Sequence, residues 1–142
     1  MSIFKFGKAL VDSEGKLKFK PLPAGTYKCR ITKVEEKESG ENSKHPGSPY
    51  LNFKACIAPG EEHEGRPFFF MISLPHEKME EEAKDLSVTK MKRLMNACQI
   101  DAGDQGEVDT SDFIGQELQL VVIETTYKDE PKNEVKDYLP LE

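Results

Sequence analysis

Two stretches decide the fold: Gly25-Thr26-Tyr27-Lys28-Cys29-Arg30-Ile31-Thr32-Lys33-Val34 and Pro49-Tyr50-Leu51-Asn52-Phe53-Lys54-Ala55-Cys56-Ile57. Both alternate apolar with polar residues at a period of two. That is the pattern of a strand with one buried and one wet face. The wet face of the first carries Lys28 and Arg30; that of the second carries Tyr50, Asn52 and Lys54. Leu51, Phe53, Ala55 and Ile57 already supply the inner face of the second run, which leaves Tyr50 outside. Cations interleaved with an exposed aromatic are what a groove needs to hold a charged strand that bears bases.

Around these runs, a chain of 142 residues fits one domain with a sizeable core. Its 37% hydrophobic and 32% charged residues are those of a folded, soluble protein. No apolar run is long enough to span a bilayer. Met1-Ser2-Ile3-Phe4-Lys5 lacks the continuous apolar segment of a secretion signal, so a cytoplasmic protein with no membrane partner is expected. Cys29, Cys56 and Cys98 are odd in number and widely spaced, with no Cys-x-x-Cys pair, so neither a disulfide nor a zinc site is expected.

The net charge of −6 argues against nucleic-acid binding by bulk charge. Its distribution is uneven. Residues 1–33 hold eight basic and two acidic residues, whereas the rest of the chain holds twelve basic and twenty-four acidic ones. Such asymmetry permits a local basic surface on an acidic body.

Further strands follow at intervals. Residues 1–20, with Phe4, Phe6, Leu10, Leu17 and Phe19 and a turn at Asp12-Ser13-Glu14-Gly15, fit two short extended pieces or a hairpin laid on the domain. Pro21 and Pro23 punctuate the chain before the first strand. Residues 35–49 read as a polar loop without apolar period. A third strand runs from Arg66 to Leu74. Placing Phe68, Phe70, Ile72 and Leu74 inward turns Phe69, Met71 and Ser73 outward, although the reverse register also fits the pattern. Residues 77–85 are an acidic loop or a short helix. Ser87 is the expected N-cap of a helix with Val88, Met91, Leu94, Met95 and Cys98 on one stripe, ending before Gly103. After an acidic loop over 101–110, a fourth strand covers Glu117 to Glu124. A polar loop then spans 125–133, and a last strand runs from Glu134 to Leu139.

Five strands with one helix between the third and fourth is the layout of the OB-fold barrel, all-β apart from that helix. Its ligands cross strands two and three between the loops that join strands one to two and four to five. Here those loops are 35–49 and 125–133. The expected organisation is an N-terminal extension, 1–24, packing on an OB-fold domain, 25–142.

At this level the chain resembles the small phage-encoded single-stranded-DNA-binding proteins of the OB-fold type. The matching stretches are Gly25-Thr26-Tyr27, Ser48-Pro49-Tyr50-Leu51-Asn52-Phe53, Gly65-Arg66-Pro67-Phe68, Asp112-Phe113-Ile114-Gly115, and Tyr138 with Pro140. They span residues 25–140, each short, in the expected order and spacing. The resemblance implies coating of single strands in phage replication, recombination or repair, within the cytoplasm of an infected bacterial host. It implies phage or host replication and recombination proteins as further partners. The chain departs from that family in one respect: its last ten residues hold Glu134, Asp137 and Glu142 beside Lys136, not the acidic run through which such proteins recruit partners.

The residues expected to meet DNA divide by chemistry. Base stacking falls to Tyr50, Phe69 and the loop residue Tyr127, because every base has a π-face. Phosphate contacts fall to Lys28, Arg30, Lys54 and Arg66 on or beside the groove, with Lys128 and Lys132 on one loop and Lys44 on the other. Asn52 lies among them. For any single lysine, plain solvation is an equal explanation; the co-facial set is what points to a groove. No catalytic residue, metal site or cofactor is expected. His45, His63 and His76 have no ligand spacing. Glu61-Glu62-Glu64 and Glu80-Glu81-Glu82, which in another setting suggest a metal-dependent nuclease, are contiguous charge runs of the solvated kind. A different class of function on the same barrel is a protein-interaction module that binds a replication or recombination enzyme through its acidic segments.

Overall fold

Strands form where the period-two pattern lies. The computed structural model describes residues 2–13, 20–40 and 47–141, with Tyr127 described by its backbone alone. The strands are β1 (Gly25–Glu38), β2 (Pro49–Ile57), β3 (Pro67–Ser73), β4 (Glu117–Tyr127) and β5 (Glu130–Leu139). A short helix, α1 (Lys8–Asp12), precedes them, and the one main helix, α2 (Glu81–Cys98), lies between β3 and β4. Neighbouring strands are all antiparallel, in the order β3-β2-β1-β4-β5.

β1 organises the sheet by serving two neighbours in turn. Its first part pairs with β4, from Gly25 opposite Val122 to Arg30 opposite Glu117. Its second part pairs with β2, from Cys29 opposite Ile57 to Glu38 opposite Pro49. The register slips between Ile31 and Lys33, so Thr32 is an extra, bulged residue. A bulge bends its strand and sharpens the twist, which lets one strand pass from one partner to the other. The turn that leads into β4 docks at this point. The amide of Gly115 donates to the Ile31 carbonyl at 2.8 Å, and the Ile31 amide donates to the Gln116 carbonyl at 2.9 Å. Gly115 makes this approach at φ +87°, a conformation that favours glycine.

The sheet curls until its edges converge over the core. Among the described residues β3 and β5 share no ladder, yet the rings of Phe70 on β3 and Tyr138 on β5 lie 5.1 Å apart. Phe53 stacks on Phe70 at 4.9 Å and meets the edge of Phe113 at 5.4 Å. Ile31, Ile72, Leu118, Leu120 and Val122 complete an apolar interior, which α2 closes with Leu94, Met95, Ala97 and Cys98. The register of β3 is the one with Phe68, Phe70 and Ile72 inward; Phe69 and Met71 are exposed.

Several expectations need correction. The segment 125–133 is not an open loop. Thr125 and Thr126 pair with Lys132 and Pro131, and the chain reverses over Lys128 and Asp129 alone. Both have positive φ, 51° and 65°, the geometry of a two-residue hairpin turn whose twist matches that of the strands. β1 runs on to Glu38, which shortens the loop expected from residue 35; residues 41–46 lie outside the described residues. Ser87 caps nothing. It is buried inside α2, which begins at Glu81. Glu81 and Glu82 fill the first turn, where carboxylates complement the positive end of the helix dipole. Over residues 1–20 an extended pair was expected, but residues 8–12 are helical; residues 14–19 lie outside the described residues.

The N-terminal extension divides in two. Residues 2–13 are exposed throughout and α1 buries none of its residues. Leu22, by contrast, is 4% exposed and joins the core. The Asn133 side chain holds it on both sides, accepting from the Leu22 amide and donating to its carbonyl, each at 2.8 Å. Cys29, Cys56 and Cys98 are all free thiols. Among the described residues no helix is long and apolar enough to cross a membrane.

Candidate nucleic-acid interface

The outer face of β1, β2 and β3 is a grid set by the ladder register. Lys33 lies opposite Lys54, and Lys54 opposite Phe69. Glu35, Asn52 and Met71 form the next row, then Lys37, Tyr50 and Ser73. Strands are about 4.8 Å apart and alternate residues point the same way, so these nine side chains form one surface. Phe69 is 57% exposed and Met71 61%, while Tyr50, Asn52 and Lys54 are half-buried. Lys33, Glu35, Lys37, Asn52, Lys54 and Phe69 line a shallow hollow of about 290 Å³. A second hollow of about 510 Å³ continues from Tyr50, Met71 and Ser73 toward His76 and Met79.

Electrostatically this face holds three lysines around one acid. Glu35 pairs with Lys33 and, at 3.4 Å, with Lys37. Bonds from Lys33 and then Lys37 hold the Glu35 carboxyl below its ordinary range, so at neutral pH it is a carboxylate that engages both cations. Lys54 is placed beside Lys33 and the open ring of Phe69 by the ladder.

The sequence-predicted residues fall in three groups. Tyr50, Asn52, Lys54 and Phe69 come together on this face. Lys28 and Arg30 lie on the part of β1 that pairs with β4, and both reach Glu117, at 3.8 and 3.3 Å. The third group is separate. Arg66 is half-buried, and its Nη2 donates to the Lys20 carbonyl at 2.6 Å, which ties the N-terminal segment to the start of β3. Lys128 sits at the tip of the β4–β5 hairpin. Lys132 lines a cleft of about 560 Å³ between the converging edges of β3 and β5, with Phe69 at its border. The side chain of Tyr127 and all of Lys44 lie outside the described residues.

Lys33 and Lys37 are the residues that sequence reading missed. Strict alternation from Cys29 and Ile31 puts Lys33 on the inner face; the bulge at Thr32 reverses the phase. A signal was present. Two polar residues, Thr32 and Lys33, separate Ile31 from Val34, a spacing of three that no regular strand produces on one face. Among the described residues, no three His, Cys, Asp or Glu side chains gather in a metal-holding arrangement.

Strand order, single main helix and outer face together define a mostly-β protein built on a five-stranded antiparallel sheet. By sequence the chain belongs to the family described as a protein of unknown function, DUF669, whose profile matches residues 8–142. No curated protein shows significant similarity to it.

Proposed function

We propose that this protein binds single-stranded DNA without sequence preference, across the outer face of β1, β2 and β3 of an OB-type barrel. The barrel reading is supported by the helix between β3 and β4, by the pairing of β1 with both β2 and β4, and by the convergence of β3 on β5. The observation that carries the function is the pair of rows Lys33, Lys54, Phe69 and Lys37, Tyr50, Ser73, which flank the row of Glu35, Asn52 and Met71 on one face. Lysines track the phosphates, and Phe69 and Tyr50 offer ring faces to successive bases, each stack contributing about 1–3 kcal/mol. The protein acts by binding and not by catalysis. The resemblance of its motifs supports the same reading, a role in phage replication, recombination or repair inside an infected bacterial cell, alongside the proteins of those processes.

The test is a fluorescence-anisotropy titration of labelled oligo-dT and of a duplex of equal length at two salt concentrations. Single strands bind more tightly, and their affinity falls steeply with salt as counterions are released. Tighter binding to the duplex, or binding to neither, overturns the reading.

A further inference from the structure

The outer face of the sheet does not stop at β3. Where β3 and β5 converge, they leave a cleft of about 560 Å³ with α2 along its side. Phe69 lines this cleft and also the hollow beside Lys33 and Lys54. Met71 lines the cleft and also the hollow that starts at Tyr50. Through these two exposed side chains the outer face continues over the edge of β3 into the cleft.

The chemistry on the two sides of that edge is alike. Phe69 and Met71 are joined by Leu86 of α2, itself 56% exposed, to make an apolar floor. Lys90 stands one turn beyond Leu86 on the same side of α2, and Arg93 follows three residues later. Lys132 and Lys136 of β5 line the same cleft. Against these four cations stand two acids, and both are engaged. Arg93 forks onto Asp137, with its Nε at 2.9 Å, and Lys136 reaches Glu134 at 3.7 Å. Four less two leaves a surplus of two positive charges, on a chain whose net charge is −6. An apolar floor with a basic rim suits a nucleotide strand, whose bases have apolar faces and whose backbone is charged. Continuity through Phe69 decides the occupant, because a strand that stacks on Phe69 has the cleft as its next surface.

We propose that the DNA strand, having crossed β1, β2 and β3, turns at Phe69 and runs on into the cleft between β3 and β5, where Lys90 of α2 contacts a phosphate. The inference rests on the outer face as the first DNA surface. It gives Lys132, which lies away from that face, a place in the same interface.

Anisotropy titrations through a salt series, with labelled oligo-dT of about six and about sixteen nucleotides, test it. The outer face accommodates the shorter strand, and the longer one reaches the cleft. Lys90→Ala exchanges an exposed helical residue for the best helix former, so the fold is kept. Lys92→Ala removes the same charge from the same helix but at a different pocket, so it controls for net charge. On the longer strand Lys90→Ala lowers the slope of log affinity against log salt by about 0.7, which makes the loss of affinity over a fourfold rise in salt about 2.6-fold smaller. On the shorter strand it behaves as wild type, and Lys92→Ala behaves as wild type on both. If wild type binds the longer strand but Lys90→Ala matches Lys92→Ala there, the cleft is not on the DNA path; this is the result expected of a cleft built for an acidic peptide, and the outer face stands without it. An equal loss on both strands also overturns the proposal, because the cleft is then no continuation of the outer face. Wild type that binds neither strand removes the DNA reading itself, and this extension with it.

Discussion

Glu35→Gln is the sharpest probe of the outer face. Glu35 stands between Lys33 and Lys37 and holds both. A DNA strand that crosses β1 has to take these lysines from the carboxylate. Glutamine keeps the size of the side chain and removes the charge, leaving Lys33, Lys37 and Lys54 with no acid among them. Each lysine released to a phosphate adds about 0.7 to the slope of log affinity against log salt for a single strand. Over a fourfold rise in salt, that slope makes the loss of affinity about 2.6-fold larger for one lysine and about sevenfold larger for two. The assay is anisotropy of labelled oligo-dT through a salt series, with a thermal melt to compare the folds. The variant binds more tightly at low salt, shows the steeper slope, and converges with wild type at high salt. Acidification supplies an independent arm. The Glu35 carboxyl is held below its ordinary range of 4.5. Lowering the pH through that region protonates it and raises wild-type affinity toward that of the variant, while the variant lacks this component. Equal affinity with equal slope, or weaker binding by the variant, refutes a path across Lys33 and Lys37.

Phe69→Ala removes an exposed ring, so it weakens oligo-dT binding by about 1–3 kcal/mol without moving the melting temperature; a large drop in melting temperature contradicts the outward placement. Arg66→Ala loses the charged bond to the Lys20 carbonyl and lowers stability by about 1.5 kcal/mol in urea unfolding. Its affinity for DNA is unchanged, and a loss of affinity at wild-type stability would return Arg66 to the interface. Stability also declines in alkali. Burial raises the thiol of Cys29 from 9.0 to about 12, with a smaller contribution from Cys56, and raises that of Cys98 to about 11. Burial, then Asp137, raises the Tyr138 hydroxyl from 10.0 to about 12. The unfolded chain releases these protons first, so the contribution is intact below pH 9 and is lost as pH rises from there toward about 12. A melting temperature that stays flat across that window contradicts the burial of these groups.

The candidate site was legible where its residues obey one local period. Tyr50, Asn52 and Lys54 alternate with Leu51, Phe53 and Ala55 inside a single regular strand, so their outward placement needs no knowledge of a partner. Phe69 followed once its neighbours were assigned to the core. Lys28 and Arg30 were placed on the correct face, but their pairing with Glu117 depends on β4, which lies far along the chain. Arg66 lay beside the expected groove in the sequence and is turned to Lys20 in the fold.

By itself, then, the amino-acid sequence determined the number and order of strands, the single main helix and the inner faces of β2 and β3. These depend on side-chain period and on turn residues, which act between near neighbours. Only the tertiary structure decided the bulge at Thr32, the long β4–β5 hairpin and the burial of Ser87 within α2. Each answers to the partner it pairs with or packs on and not to its own local period. β1 bends because it must leave β4 for β2, Thr125 and Thr126 extend because Lys132 and Pro131 lie across from them, and α2 starts early because its stripe has a core to cover. Lys33 and Lys37 reach the outer face only through that first event, because an extra residue in a strand reverses the direction of every side chain beyond it.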